Sequence, residues 1–143
     1  METRIDHITG GIYRIATMTE AYGITFNQFL IDDERPALIH TGMHASYENV
    51  RKAISEVLDP AQLAYVALLH WEGDENGGMD RFLADAPGAE LIGSALSIGI
   101  NAHGFGMVDR VRGFADGERL ELDRKSTRLN SSHIQKSRMP SSA

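Results

Sequence analysis

One segment of the chain concentrates groups able to do chemistry. His70-Trp71-Glu72-Gly73-Asp74-Glu75-Asn76-Gly77-Gly78 sets one imidazole and three carboxylates within six positions, directly after the apolar run Tyr65-Val66-Ala67-Leu68-Leu69. A short interior strand that releases such donors at its C-terminal end can build a metal site. Side chains alternate along extended backbone, so His70, Glu72 and Asp74 project to one side if the loop stays extended, and Glu75 points elsewhere unless it turns. Gly73 frees the backbone to fold back, and Gly77-Gly78 permits close approach or a positive-φ turn. Crowded carboxylates repel one another unless a cation lies between them. The competing reading is a solvated acidic loop between strand and helix, with His70 as a polar residue at the strand end. As ligands, one imidazole with carboxylates suits iron or manganese better than zinc, which more often takes several His or Cys.

The elements that must position this cluster can be read from periodicity. Gly11–Ala16 alternates after a glycine pair, and Thr25–Ile31 is rich in aromatic and β-branched residues; both read as strands. The charged turn Asp32–Arg35 leads to Pro36-Ala37-Leu38-Ile39 as hairpin partner, with Pro at the strand start, where a missing donor is tolerated. Ser46 is placed as an N-cap and Glu48 in the first turn of a helix whose apolar face is Val50, Ala53, Ile54, Val57 and Leu58. Asp59-Pro60 ends it and caps a further short turn. Tyr65–Leu69 reads as an interior strand, and Met79, Phe82, Leu83 and Ala86 as one face of a second helix closed by Pro87. Leu91-Ile92 is a short strand, Ser94 caps a helix through Ile98 and Asn101, Val111 and Phe114 mark another strand, and Leu120 and Leu122 begin one more. Alternating strands and helices after a hairpin meander give an α/β class: a mixed sheet with helices on its outer face. Such a sheet must bury its other face against a further layer.

Residues 123–143 are read differently. Asp123 through His133, and Ser137 through Ala143, match a translated short-read sequencing adapter, so this segment is expected to be a non-native, disordered tail. Arg124, Lys125, Arg128, Lys136 and Arg138 are therefore not read as a nucleic-acid patch, nor His133 as a ligand. Of 14 Lys and Arg, five lie in that tail, and of 20 Asp and Glu, one does; residues 1–122 thus carry 9 against 19, a formal net charge of −10. Such a surface disfavours nucleic acid and anionic membrane. The absence of cysteine excludes disulfides, thiolate zinc sites and iron–sulfur clusters. No secretory apolar region opens the chain and no run is long enough to span a bilayer, so a cytoplasmic protein is expected.

From about Ile5 to Leu122 the sequence resembles the metallo-β-lactamase fold, and within it the diiron, oxygen-binding domain of flavodiiron proteins. Ile12-Tyr13-Arg14-Ile15 resembles the family's opening strand, and Ile24–Ile31 its second segment. Pro36-Ala37-Leu38-Ile39-His40-Thr41-Gly42 stands where the family has a strand ending in Asp-Thr-Gly, and Asp59-Pro60 before Tyr65-Val66 also fits. The most specific element is His-x-Glu-x-Asp, met by His70, Glu72 and Asp74. Zinc-dependent members of the wider fold usually carry His at the Glu72 position. The resemblance implies an αββα metallo-β-lactamase-like sandwich of which residues 1–122 are the N-terminal half. It implies metal ligands His70 and Glu72 for one iron and Asp74 for the other, with Glu75 where the family has a second His. His40 stands where the family has a supporting Asp. These two departures mark a divergent branch, with one metal, a different metal or none. The family's remaining ligands belong to the second half of the domain. His103, His7 and His44 are read as loop or surface residues.

What the resemblance implies for function is a parent oxidoreductase whose non-haem diiron centre reduces dioxygen or nitric oxide. Its electrons would come from FMN on a further domain or a partner chain, and the parent could be a homo-oligomer. Two alternatives stay open: a zinc-dependent hydrolase of the same fold, and a non-catalytic oxygen sensor. No catalytic residue beyond the ligands is assigned. Residues 1–122 alone are expected to be inactive and, with one sheet face uncovered, prone to aggregate.

Overall fold

The computed structural model describes residues 1–122; the expectations for the 123–143 tail lie outside the described residues. Seven strands form one mixed sheet in sequential order: β1 (Glu2–Thr9), β2 (Ile12–Thr19), β3 (Ile24–Ile31), β4 (Ala37–Ile39), β5 (Tyr65–Ala67), β6 (Glu90–Ser94) and β7 (Val111–Phe114). The first four run antiparallel as a meander, and β4 through β7 are parallel. Parallel neighbours need crossovers. Helix α1 (Tyr47–Ser55) supplies the one between β4 and β5. Helices α2 (Gly73–Asn76) and α3 (Met79–Asp85) lie between β5 and β6, and α4 (Ala95–Ser97), extended by wider and tighter turns through Phe105, lies between β6 and β7.

Strand β1 is an element the sequence reading lacks. It pairs only with β2 and is the sheet edge, so its pattern is mostly charged and polar and shows little apolar alternation. On the helix-covered face, Ile15, Leu30, Leu38, Val66, Leu68 and Leu91 pack beneath Val50 and Ile54 of α1 and Phe82 of α3. The opposite face holds a second cluster, in which Ile31, Ile39, Tyr65, Ile92 and Phe114 meet Leu120 and Leu122. Those two leucines were expected to begin a strand. They fold across the sheet face instead, with the Arg35 N–H donating to Leu122 O at 3.0 Å. Their apolar side chains are buried because the sheet offers an uncovered face there. Met18 and Phe29, farther along, stay exposed.

The ends of the helices also refine the expectations. Ser46 occupies the N-cap position of α1, but its hydroxyl donates to Met43 O at 2.9 Å and caps no helix N–H. Helix α1 stops at Ser55, and Val57 and Leu58 pack against the core from the turn that follows. Asp59 accepts from Ala61 N at 3.0 Å and so caps the short turn Pro60–Gln62, and Ser94 accepts from Ser97 N at 3.1 Å, both as expected. No helix among the described residues is long and apolar enough to cross a membrane.

Candidate metal centre

The parallel register Ile39↔Ala67 sets the C-terminal ends of β4 and β5 side by side. Chain leaving β4 is His40-Thr41-Gly42; chain leaving β5 reaches His70 and then α2. His40 has φ 62, in the left-handed region that non-glycine residues seldom occupy, and its N–H donates to Ala67 O at 2.8 Å. That turn drives the imidazole toward the β5 exit, where the residue is buried.

The β5 exit does not stay extended. Glu72 is still extended (φ −137, ψ 143), but Gly73–Asn76 wind into one helical turn, with Glu75 N–H and Asn76 N–H both donating to Glu72 O. The alternation that would align His70, Glu72 and Asp74 is therefore broken after Glu72, and the turn carries Glu75 inward. Thr41 holds it there. Its backbone N–H donates to Glu75 O at 2.7 Å, its hydroxyl lies 3.0 Å from the same oxygen, and that hydroxyl accepts from Gly78 N–H at 3.0 Å. Gly77 permits the approach without a positive φ: a Cβ there would sit 2.4 Å from His44 N and 2.9 Å from Met43 C. Gly42, at φ 80, supplies the left-handed turn on the other strand.

Among the described residues, the metal-capable group that results is His40, His70 and Glu75, whose donor atoms all lie within 4.8 Å of one another. His40 Nδ1 is 3.4 Å from Glu75 Oε2, His70 Nε2 touches that same oxygen, and the two imidazole rings are 5.0 Å apart. Glu72 lies at the rim: its carboxylate is 4.0 Å from His70 Nε2 and its side chain is 64% exposed. Asp74 is half-buried in α2 and acts on the group through its charge. Of the four ligands read from sequence, the fold thus brings His70 and Glu75 together and leaves Glu72 and Asp74 outside the trio. His103 and His44 are exposed, and His7 bonds Gly10 O at 2.6 Å on the β1–β2 hairpin.

The electrostatics match an incomplete cage. Burial first, and then the neighbouring His70, push the His40 imidazole down to about 4 against the opposing pull of Asp74. His40 is thus neutral near pH 7, with a lone pair to give. Burial also raises the Glu75 carboxyl, and the Asp74 and Glu72 charges add to this while His70 opposes it. His40 Nδ1 and Glu75 Oε2 are both buried and, apart from the close approach of His70 Nε2 to Glu75 Oε2, neither has a hydrogen-bond partner among the described residues. Buried polar atoms are normally satisfied. Two orphaned donors converging on one point, with an imidazole beside them, fit a divalent cation.

No family model matches the chain. Curated relatives do. Over 83 residues, 58% of this chain, it is 32% identical to the flavo-diiron protein FprA2 of Clostridium acetobutylicum, of which this is 20%. Over 101 residues it is 29% identical to a putative diflavin flavoprotein of Nostoc, covering 70% of this chain and 17% of that one. The structure superposes on the rubredoxin oxygen:oxidoreductase of Desulfovibrio gigas with a TM-score of 0.75 and 21% identity, over 85% of this chain and 33% of that one. By sequence and by fold, the chain is related to the flavodiiron proteins. It spans a fifth or less of the curated relatives' length. The sheet with helices on one face is that of the metallo-β-lactamase fold, seen also in the solved subclass B3 metallo-β-lactamase MEM-A1 (TM-score 0.68, 18% identity, 83% of this chain and 48% of that one). The third member of the trio, His40, is signalled in the sequence only by its place at the end of β4, an ionisable residue closing an otherwise apolar strand.

Proposed function

We propose that this flavodiiron-type chain carries the N-terminal ligand loop of a non-haem iron domain that handles dioxygen or nitric oxide. The observation that carries the reading is the partly buried Glu75 carboxylate against His70 at the β5 exit, in a chain whose relatives include proteins named flavo-diiron protein and nitric oxide reductase. His70, Glu72, Asp74 and Glu75 are the loop donors, arranged for up to two ions once donors from beyond Leu122 join them. When bound, iron supplies redox chemistry and open coordination positions for a diatomic ligand. The chain's own residues prepare that site. Thr41 and Gly78 hold the α2 turn against β4, His40 stays neutral by burial, and the partly buried Trp71 packs against the core beside the donors. Electrons would reach the site from a flavin, on a further domain or a partner chain. A cytoplasmic location and a homo-oligomeric parent accompany this reading.

The test is metal analysis of the protein made from the complete reading frame, then oxygen consumption with a reduced flavin donor. Iron in the purified protein and reductant-dependent uptake are expected. Tight zinc without iron, and turnover indifferent to reductant, would instead support a hydrolase. One solved neighbour of the same fold is described as a B3 metallo-β-lactamase with an active site glutamic acid, at 19% identity over 84% of this chain and 48% of that one, TM-score 0.68. Gas binding without turnover would mark a sensor.

A further inference from the structure

The loop reading assigns its donors from β5 onward and leaves His40 as a support. We propose that His40 is itself a metal ligand, and that His40, His70 and Glu75 form a two-imidazole, one-carboxylate face that holds a single divalent transition ion within this chain alone. The inference rests on the reading that the His70 loop binds metal, and it names the donor set.

Three independent observations carry it. The first is the orphaned nitrogen: the His40 side chain is 8% exposed, yet its Nδ1 has no hydrogen-bond partner among the described residues and faces the Glu75 carboxylate. A supporting residue would have its polar atoms satisfied by the group it supports. The second is spacing. Donors bound about 2.0–2.2 Å from one ion stand roughly 3–3.5 Å apart, and His40 Nδ1 to Glu75 Oε2 is 3.4 Å. The third is backbone. His40 is held at φ 62, a conformation that costs of order 1–3 kcal/mol for a non-glycine residue and that persists where the surroundings over-determine it. The His40 N–H bond to Ala67 O and the Thr41 bonds to Glu75 O supply that constraint from both strands.

The chemistry of the set selects the ion class. Two imidazoles and one carboxylate on one side, with the remaining positions open, is a donor pattern of non-haem Fe(II). Only His70 and Glu75 come from one loop. The third donor comes from a neighbouring strand, so the site exists only when β4 and β5 are paired, and binding is coupled to folding of this half. The three donors converge without any from beyond Leu122.

The experiment uses the metal-free chain. Co(II) is titrated optically for stoichiometry and affinity, and pulsed electron paramagnetic resonance of the Cu(II)-loaded chain counts coordinated imidazoles. One Co(II) per chain and two imidazoles are expected. His40→Ala should leave one imidazole and weaken Co(II) binding beyond the roughly 10–100-fold that loss of an outer support costs. His40→Asp, a smaller change should His40→Ala misfold, should also count one imidazole. A wild-type count of one, or a count unchanged in a folded His40 variant, overturns the proposal and leaves the iron reading of the loop intact. Failure of the complete protein to consume oxygen would strike that reading without altering the imidazole count.

Discussion

The Thr41 N–H donates to Glu75 O at 2.7 Å, joining the exit of β4 to the exit of β5. Thr41 also places its hydroxyl between Glu75 O and the Gly78 N–H, 34 positions away at its nearer end. This one residue sets the distance between the two strands' chemical groups. A buried donor or acceptor left without its partner costs about 1–3 kcal/mol. Thr41→Val keeps the shape and removes the hydroxyl. It should lower stability by roughly that amount in urea unfolding, and weaken Co(II) binding as the α2 turn loosens.

Gly77 and Gly73 flank the same turn and should answer oppositely to alanine. A Cβ on Gly77 meets backbone atoms of His44, Gly73 and Met43 at 2.4, 2.8 and 2.9 Å, none of which can rotate away. Gly77→Ala should destabilise by about 1–3 kcal/mol and shift the loop. A Cβ on Gly73 meets nothing within 4 Å. Gly73→Ala, in the first position of a helical turn, should be neutral or raise stability by up to about 1 kcal/mol. Thermal melts of the two variants side by side check the contrast.

Tyr47 gives a pH dependence away from the metal groups. It is 4% exposed, its hydroxyl donates to Asp85 Oδ2, and Arg51 Nε lies 3.1 Å from the same oxygen. Burial first, then the hydrogen bond to Asp85, pushes its phenol up to about 12. An unfolded tyrosine titrates near pH 10. Between about pH 10 and 12 the folded state keeps a proton that the unfolded state has lost, so the contribution is whole below pH 10 and disappears as pH rises through 12. Urea midpoints measured across that window should fall more steeply for the wild type than for Tyr47→Phe. The 295 nm titration should lose its latest component in the variant.

Arg110 closes the C-terminal end of α3. Its guanidinium donates to Leu83 O, Ala86 O and Pro87 O at 3.0 Å each and to Ala89 O at 3.2 Å, meeting carbonyls of the last helical turn and of the chain just beyond it, of which Ala86 O also accepts from Ala89 N–H. The residue also sits at φ 56. Arg110→Ala should cost about 1–3 kcal/mol by removing the guanidinium's bonds to those carbonyls. Arg110→Gly loses the same bonds but relieves a left-handed backbone worth about 1–2 kcal/mol, so it should be the milder variant in denaturant titration.

Much of the scaffold was legible because it depends on local period. Thr25–Ile31 and Tyr65–Leu69 read as strands from their apolar content, and the Val50, Ala53, Ile54 spacing marks α1 whatever it packs on. Edge strand β1 was not legible. A strand solvated along one side carries Arg4, Asp6 and His7 where an interior strand carries apolar residues, and nothing local tells it from a loop. Leu120 and Leu122 alternate like a strand, yet what buries them is the free face of the sheet. The relatives' names and the superposition agree with the flavodiiron resemblance that Ile24–Ile31 and the His70, Glu72, Asp74 spacing carry.

The sequence by itself determined the kinds of donor available and where the chain would release them: an imidazole and carboxylates after an apolar strand, with glycines to let the backbone turn. Which of them meet was decided by tertiary structure alone. Alternation favours His70, Glu72 and Asp74, but it holds only while backbone stays extended, and Thr41 captures the Glu75 carbonyl to wind the loop into α2. His40 and Glu75 are neighbours because β4 and β5 pair in parallel at Ile39 and Ala67. That adjacency between distant segments is a matter of strand pairing and hydrogen bonding, to which the spacing of residues along either segment is blind.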